Sequence, residues 1–272
     1  MRIACASDVG ERRLQNEDAC EVFTLSIKEE QITVMLLADG MGGKKGGEIA
    51  SKIFIDTLSS DIKKEFEKYE AELKSLPSNE TLQTVKNLLH NSNNFIYKSF
   101  ATAHNNIIKE GYKTGLAGMG TTGVAALFTR KTFHGFYIGD SRIYCFNNNN
   151  LTQMSTDHTH AQELIKSEQM TPAEAQKHPV NHILTKAVGA SLNADKPSYC
   201  YRDVSPEDIF LVCSDGLHNE LTNFKIEEIF IKSKKNKNSE NYLNELAETF
   251  IETANNAGGR DNISVCIGML KK

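Results

Sequence analysis

Four acidic pairs, each set at the end of an apolar run, constrain this chain most. Glu17-Asp18 leads into the run from Cys20 to Ile27, and Ala38-Asp39-Gly40 closes Val34-Met35-Leu36-Leu37. Asp215-Gly216 follows the run Ile209 to Cys213 and Ser214, and Asp261-Asn262 leads into Ile263 to Met269. Strand ends are rigid mounts, and several of them converge on one spot in a sheet-rich fold, where their carboxylates can hold a hard divalent cation through oxygen. A single Asp-Gly after a strand is only a turn signal. Two such junctions plus Asp261-Asn262 make coincidence a poor account and point to a metal hydrolase.

The order of elements narrows the architecture. Strand-like runs cover 2–8, 20–27 and 31–39, the last two forming a hairpin across Lys28-Glu29-Glu30. Ile49, Ala50, Ile53, Phe54, Thr57 and Leu58 recur at helical spacing behind Glu48, which predicts a helix packed on the sheet. The polar stretch 61–112, interrupted at Pro77-Ser78, predicts two more helices, with Leu82, Val85, Leu88 and Leu89 on one face. Runs at 123–129, 132–139, 142–147 and 151–155 read as a meander in one antiparallel sheet. An insertion at 157–195 is helical in pattern, with Thr171-Pro172-Ala173-Glu174 as an N-cap, a first-turn proline and an acidic first turn. Strands at 198–203 and 208–214, helices near 222–232 and 239–256, and a strand at 263–269 complete the chain. Strands and helices do not alternate, so the expected class is α+β, two antiparallel sheets with helices outside.

Of the 272 residues, 39% are apolar, enough for a sizeable core, and a single domain over 1–272 is expected. A net charge of -4, with both signs well mixed, gives no footprint for nucleic acid. No apolar run approaches the ~20 residues that span a bilayer, and the N-terminus carries no signal-like stretch, so a cytoplasmic protein without a membrane partner is expected. The 6 cysteines lack a Cys-x-x-Cys pair and read as buried free thiols. The Gly-rich segment 40–47 fails both as a Walker loop, since Gly43-Lys44 is followed by Lys45, and as a dinucleotide fingerprint.

Seven motifs in sequence then carry a resemblance. Arg13-x-x-Asn16-Glu17-Asp18, Ala38-Asp39-Gly40-Met41-Gly42-Gly43, Gly118-Met119-Gly120-Thr121-Thr122 and Gly139-Asp140-Ser141-Arg142 are followed by Thr156-Asp157-His158, Ser214-Asp215-Gly216-Leu217 and Gly259-Arg260-Asp261-Asn262. The set resembles the metal-dependent serine/threonine protein phosphatases of the type-2C (PPM) family, bacterial branch, over about residues 2 to 270. The resemblance implies a four-layer α/β/β/α sandwich with two manganese or magnesium ions at one end. It implies that Asp39 bridges the ions, that the Gly40 carbonyl completes one and that Asp215 with Asp261 holds the other. Asp18 and Glu17 would hydrogen-bond metal-bound water, Arg13 would grip the substrate phosphate, and Asp140 with Asp215 matches a third-ion position. Ser214 and Asn262 would orient carboxylates.

The implied reaction is hydrolysis of phosphoserine and phosphothreonine monoesters by a water bridged between two ions, with positive charge neutralising the phosphate dianion and arginine recognising its oxygens in bidentate fashion. Partners would be phosphoproteins, including a serine/threonine kinase or its targets, and the chain would act as a monomer. One departure stands out: Met41 occupies the position where the eukaryotic branch has its proposed acid, a histidine, and Lys44 the position where several bacterial relatives have one. Leaving-group protonation is thus unassigned, metal-bound water being the preferred donor and His158 reading better as a structural histidine. The insertion 157–195 matches the family's flap, and His158, His160, His178 and His182 do not have the spacing of a closed ligand set. Two rivals stay open, a phosphatase dedicated to one regulatory partner and a catalytically dead module that binds phosphoproteins.

Overall fold

The computed structural model describes residues 1–27, 30–41, 46–73, 78–175, 178–190 and 196–271. Two antiparallel sheets form its centre. The first runs β1 (Arg2–Asp8), β11 (Ile263–Met269), β10 (Ile209–Cys213), β7 (Arg142–Asn147), β8 (Asn150–Gln153). The second runs β2 (Asp18–Ile27), β3 (Glu30–Met41), β5 (Gly123–Phe128), β6 (Thr132–Ile138), β9 (Ser198–Asp203), with the short β4 (Gly120–Thr121) on the end of β3. Helices α1 (Gly47–Leu73) and α2 (Ser78–Thr114) cover the second sheet, while α6 (Asn223–Ser233) and α7 (Tyr242–Ala257) cover the first. The result is the expected α/β/β/α sandwich.

Strand alternation explains the layering. On β3, Val34, Leu36 and Ala38 pack against Phe54, Leu58, Ile62, Phe100 and Ile107 of the helices, while Met35 and Leu37 face the space between the sheets. On β10 and β11, Ile209, Leu211, Val265 and Ile267 meet Phe230 and Phe250, whereas Phe210, Val212 and Cys266 point inward. The sheets are joined by rings: Phe210 stacks on Phe133 with centroids 4.2 Å apart and lies 5.4 Å from Phe128. All six cysteines are free thiols, with Cys145, Cys213 and Cys266 buried but Cys5 exposed.

Three expectations are corrected. The first helix does not end near Leu58; Ile55, Leu58, Ile62 and Phe66 continue one apolar face with no breaker, so α1 runs unbroken to Leu73 and 47–114 holds two helices, not three. Pro77 lies outside the described residues, as do Lys28 and Glu29 of the expected hairpin turn. The meander 123–155 is not one sheet: β5 and β6 belong to the second and β7 and β8 to the first. The chain crosses at Gly139-Asp140-Ser141, where Gly139 takes a φ of 104° and its missing Cβ leaves room for Thr122. Among its described residues the insertion is helical only in short pieces, α3 (His160–Lys166), α4 (Pro172–Ala175) and a 3-10 turn at Pro179–His182. Its expected cap holds, with Thr171 Oγ1 accepting from the Glu174 amide and the Glu174 carboxylate accepting from the Thr171 amide at 2.8 Å. Among the described residues no helix is long and apolar enough to cross a membrane.

The ring contact makes a testable demand. Phe210→Ala should cost about 3–5 kcal/mol of unfolding free energy in urea titration, because the cavity would open between two sheets that cannot close on it. A loss below about 1 kcal/mol would show that the sheets are held apart by something other than this stack.

Candidate metal centre

The inward face of the sandwich is apolar along most of its length and turns polar at one end. On β3 the inward series Met35, Leu37 ends in Asp39, and on β2 the series Val22, Cys20 ends in Asp18. The two residues are register partners in the antiparallel pair, so like charges face one another. From the opposite sheet, Asp215 opens the single turn α5 (Asp215–His218) just past β10, and Asp261 precedes β11. Asp140 reaches the same end from the crossover between sheets. A cavity of about 240 Å³ is lined by Arg13, Glu17, Asp39, Gly40, Met41, Thr122, Asp140, His182, Leu184, Asp215 and Asp261.

The backbone there is held firmly. The Asp39 amide donates to Thr122 Oγ1 at 2.9 Å, and the Asp39 carbonyl accepts from the Thr122 amide at 2.8 Å and the Thr121 hydroxyl at 2.9 Å. Gly40 does not turn the chain, contrary to expectation: β3 continues through it, pairing Gly40 with Thr121. Glycine is needed because a Cβ would lie 2.2 Å from the Gly47 carbonyl oxygen and 2.5 Å from that of Glu17. Gly216 is required for the same reason, a Cβ there falling 2.0 Å from the Asn262 carbonyl oxygen.

Protein groups compensate the carboxylates unevenly: Asp261 accepts from Arg13 and from the Asn262 amide, Asp215 accepts from Asn219 Nδ2 at 3.0 Å, and Asp18 has no such partner. Both side-chain oxygens of Asp18 are buried without a hydrogen-bond partner. The nearby serines are engaged with each other's neighbourhood, Ser264 Oγ with Ser7 Oγ at 2.7 Å and Ser214 Oγ accepting from the Ser264 amide at 2.9 Å. Burial raises the Asp18 pKa to about 7; the nearby Ser264 and Ser214 hydroxyls oppose it, and repulsion from Asp215 and Asp261 adds a smaller push in the same direction as burial. Burial and then Asp18, Asp215 and Asp140 hold Asp39 well above the carboxylate range. Asp140 is raised by burial and Asp215, and Asp215 is lifted to about 6 by burial and Asp261.

Such a set suits a hard cation: all oxygen donors, at least one orphaned pair, and mutual repulsion that positive charge would relieve. Among the described residues no three His, Cys, Asp or Glu side chains are already gathered as a ligand cluster. Arg13 Nη2 donates to Asp261 Oδ2 at 2.6 Å, placing the guanidinium on the cavity rim beside one expected ligand. Glu17 shares the rim, its amide donating to Asn262 Oδ1 at 2.8 Å.

The comparisons fit this geometry. The family model described as Protein phosphatase 2C matches residues 10–251. The chain belongs to the protein phosphatase 2C family. Its enzyme class is that of the serine/threonine phosphatases. It is 31% identical to the serine/threonine phosphatase stp of Listeria welshimeri, covering 96% of this chain and 92% of that one. The solved serine/threonine phosphatase of S. agalactiae matches with a TM-score of 0.79 at 28% identity over 99% of both chains. The catalytic domain of the phosphatase PstP, solved in complex with 2 manganese ions, matches at 0.71 and 28% identity over 98% of this chain and 96% of that one.

Met41 lines the carboxylate cavity. Lys44 lies outside the described residues. The Asn262 Nδ2 donates to the Val9 and Gln15 carbonyls at 2.9 Å each, tying down the loop that carries Arg13. His218 was not singled out in the sequence and His182 only within a histidine group set aside as a metal site, yet His182 reaches the cavity and His218 Nε2 donates to the Asp140 carbonyl at 3.1 Å. Nothing in their local spacing marks them, because distant pairing brings them in.

His158 is structural. Its Nδ1 accepts from the Gly139 amide at 3.0 Å and its Nε2 meets Ser198 Oγ at 2.8 Å, which fixes a neutral ring. Burial, followed by Lys186 and Lys166, lowers its pKa to about 4. Below its ordinary value near 6.5 the unfolded chain takes up a proton that the folded chain refuses, so this stability is present above 6.5 and lost as pH falls toward about 4. His158→Gln keeps one acceptor and one donor without the titration. Urea melts from pH 7 to 4 should show wild type losing on the order of 2 kcal/mol more than the variant; parallel curves would refute the assignment.

Proposed function

We propose that the chain is a phosphoserine/phosphothreonine protein phosphatase that works with two manganese or magnesium ions. The observation that carries this reading is the facing pair Asp18 and Asp39, buried deep enough to raise both pKa values and, in Asp18, without a protein partner for either oxygen. Asp39, the Gly40 carbonyl, Asp215 and Asp261 would hold the ions, and Asp140 with Asp215 a third. When bound, the ions supply positive charge to the phosphate dianion and make water acidic enough to attack near neutral pH.

The remaining tasks fall to the chain. Asp18 orients the attacking water at its free oxygens, and Glu17 assists from the rim. Arg13 exchanges its contact with Asp261 for the phosphate oxygens, which its planar fork fits. Thr122, whose Oγ1 accepts from the Asp39 amide and shares a hydrogen bond with Ser141 Oγ, keeps Asp39 from swinging out of the cavity. Residues 1–272 act as one domain, with 157–195 as a flap that meets the substrate, and the substrates are phosphoproteins, including a serine/threonine kinase or its targets.

The test is phosphate release from a phosphothreonine peptide with manganese, magnesium or chelator, run beside calorimetric manganese titration. Asp39→Ala should release no more than wild type in chelator and should lose tight manganese binding while remaining folded. Full activity in the variant would sink the reading, and a wild type that binds no divalent ion would leave a dead phosphoprotein-binding module instead. Arg13→Ala should raise KM about 10-fold or more with a smaller change in kcat, since it removes a charge-assisted contact. An unchanged KM would leave Arg13 as a surface partner of Asp261.

A further inference from the structure

We propose that His182 protonates the departing serine or threonine oxygen, the task that Met41 cannot perform. This rests on the phosphatase reading above. Three placements carry it. First, His182 and Met41 line the same cavity as Asp39, Asp215 and Arg13, so the histidine faces the reacting space from a different element than the methionine. Second, His182 also lines the adjoining cavity of about 490 Å³, together with Arg13, Asn181, Asn219 and Arg260. It therefore stands at the junction of the carboxylate cavity and the wider cavity beside it, the space open to the rest of a peptide substrate. Third, its backbone is pinned on both sides.

The pinning is specific. His182 closes the 3-10 turn Pro179–His182, whose first amide is capped by His178 Nδ1. Directly after it, the Ile183 carbonyl accepts from the His160 amide at 2.9 Å, and the Thr185 amide donates to the His158 carbonyl at 2.9 Å. These bonds fasten 183–185 to the start of α3, so the imidazole is delivered by an anchored turn.

Other groups near the cavity are committed or unsuited. His158 uses both ring nitrogens, and His218 Nε2 is bound to the Asp140 carbonyl. Arg142 is held by Asp157 through three contacts of 2.7 to 3.0 Å, and an arginine does not give up a proton. Asp18 lies at the buried end, away from the opening. His182 is exposed, and among the described residues no hydrogen bond or ion pair holds its ring.

The step balances. A bond forms between the water oxygen and phosphorus while the bond from phosphorus to the side-chain oxygen breaks. The electron pair of the broken bond stays on that oxygen, which takes the imidazolium proton of His182 and leaves as a free hydroxyl. The attacking water gives its proton to solvent, and the exposed imidazole is reprotonated from solvent, leaving inorganic phosphate.

Leaving groups of different basicity test this. A nitrophenolate departs as a stable anion and needs no proton, whereas a threonine alkoxide does. With the manganese-loaded full chain, kcat is measured on a phosphothreonine peptide and on para-nitrophenyl phosphate for wild type, His182→Gln and His182→Ala. The ratio of peptide to aryl kcat should fall about 10²-fold in both variants, the usual scale of a lost general acid, and added imidazole should restore part of the peptide rate in His182→Ala. Equal losses on both substrates, a change in KM alone, or no change would overturn the proposal. A wild type inactive on both substrates overturns the phosphatase reading and this inference with it.

Discussion

Asp18 faces Asp39 across an antiparallel pair, and two like charges so placed weaken a sheet. The surrounding structure tolerates the arrangement because everything behind it is strongly specified. The β2–β3 pair is ten residues long, and the inward positions of the same strands fill the apolar seam between the sheets. Thr121 and Thr122 fix both backbone groups of Asp39, and the absent side chains at Gly40 and Gly47 let α1 begin directly against the carboxylate end. Local destabilisation at a site that a ligand later relieves is a common feature of functional regions. Here it is confined to the last residues of strands whose interiors are well packed.

Because the acidic groups come from both sheets, the site is a property of the seam. Asp18 and Asp39 belong to one sheet, Asp215 and Asp261 adjoin the other, and Asp140 sits on the chain that passes between them. Their mutual distances are therefore set by the spacing of the sheets, which Phe128, Phe133 and Phe210 determine by stacking across the core. Two further ties keep the ends in step: Arg13 bonds Asp261, and Asn262 grips the loop 9–17 through its amide. An oxygen cluster that must accept small ions at defined distances gains from being mounted on such a spacer.

Much of this was legible in the sequence, and the reason is the period of two. Once Met35 and Leu37 are read as an inward pair, Asp39 falls on the same face, and Ile263 to Met269 places Asp261 just before a buried strand. What was not legible depends on partners far apart in the chain. The switch of sheets at Gly139 could not be read, since β6 and β7 are both apolar and both antiparallel, and the close approach of Thr122 to Gly139 at the crossover is a contact between distant positions. Arg13 and Asp261 are separated by 248 positions. The unbroken α1 was missed because its middle, Ser59-Ser60-Asp61, looks polar while Ile62 and Phe66 keep the buried face going.

The division of labour between strands and loops gives the site its logic. Groups at strand ends are oxygen acceptors fixed by the ladder, and none of them brings a positive charge or, under the proposal, the proton for the leaving group. Those come from elsewhere: Arg13 from the loop before β2, His182 from a turn fastened to α3. Loops accept changes in sequence more easily than buried strands do. An acid carried at position 41 would sit at the end of β3, where its placement is bound to that of Asp39. An acid carried by the flap is free of that strand, so methionine at 41 need not disable the centre: the acceptors stay where the sheet holds them, and the proton arrives from the side on which the peptide must lie.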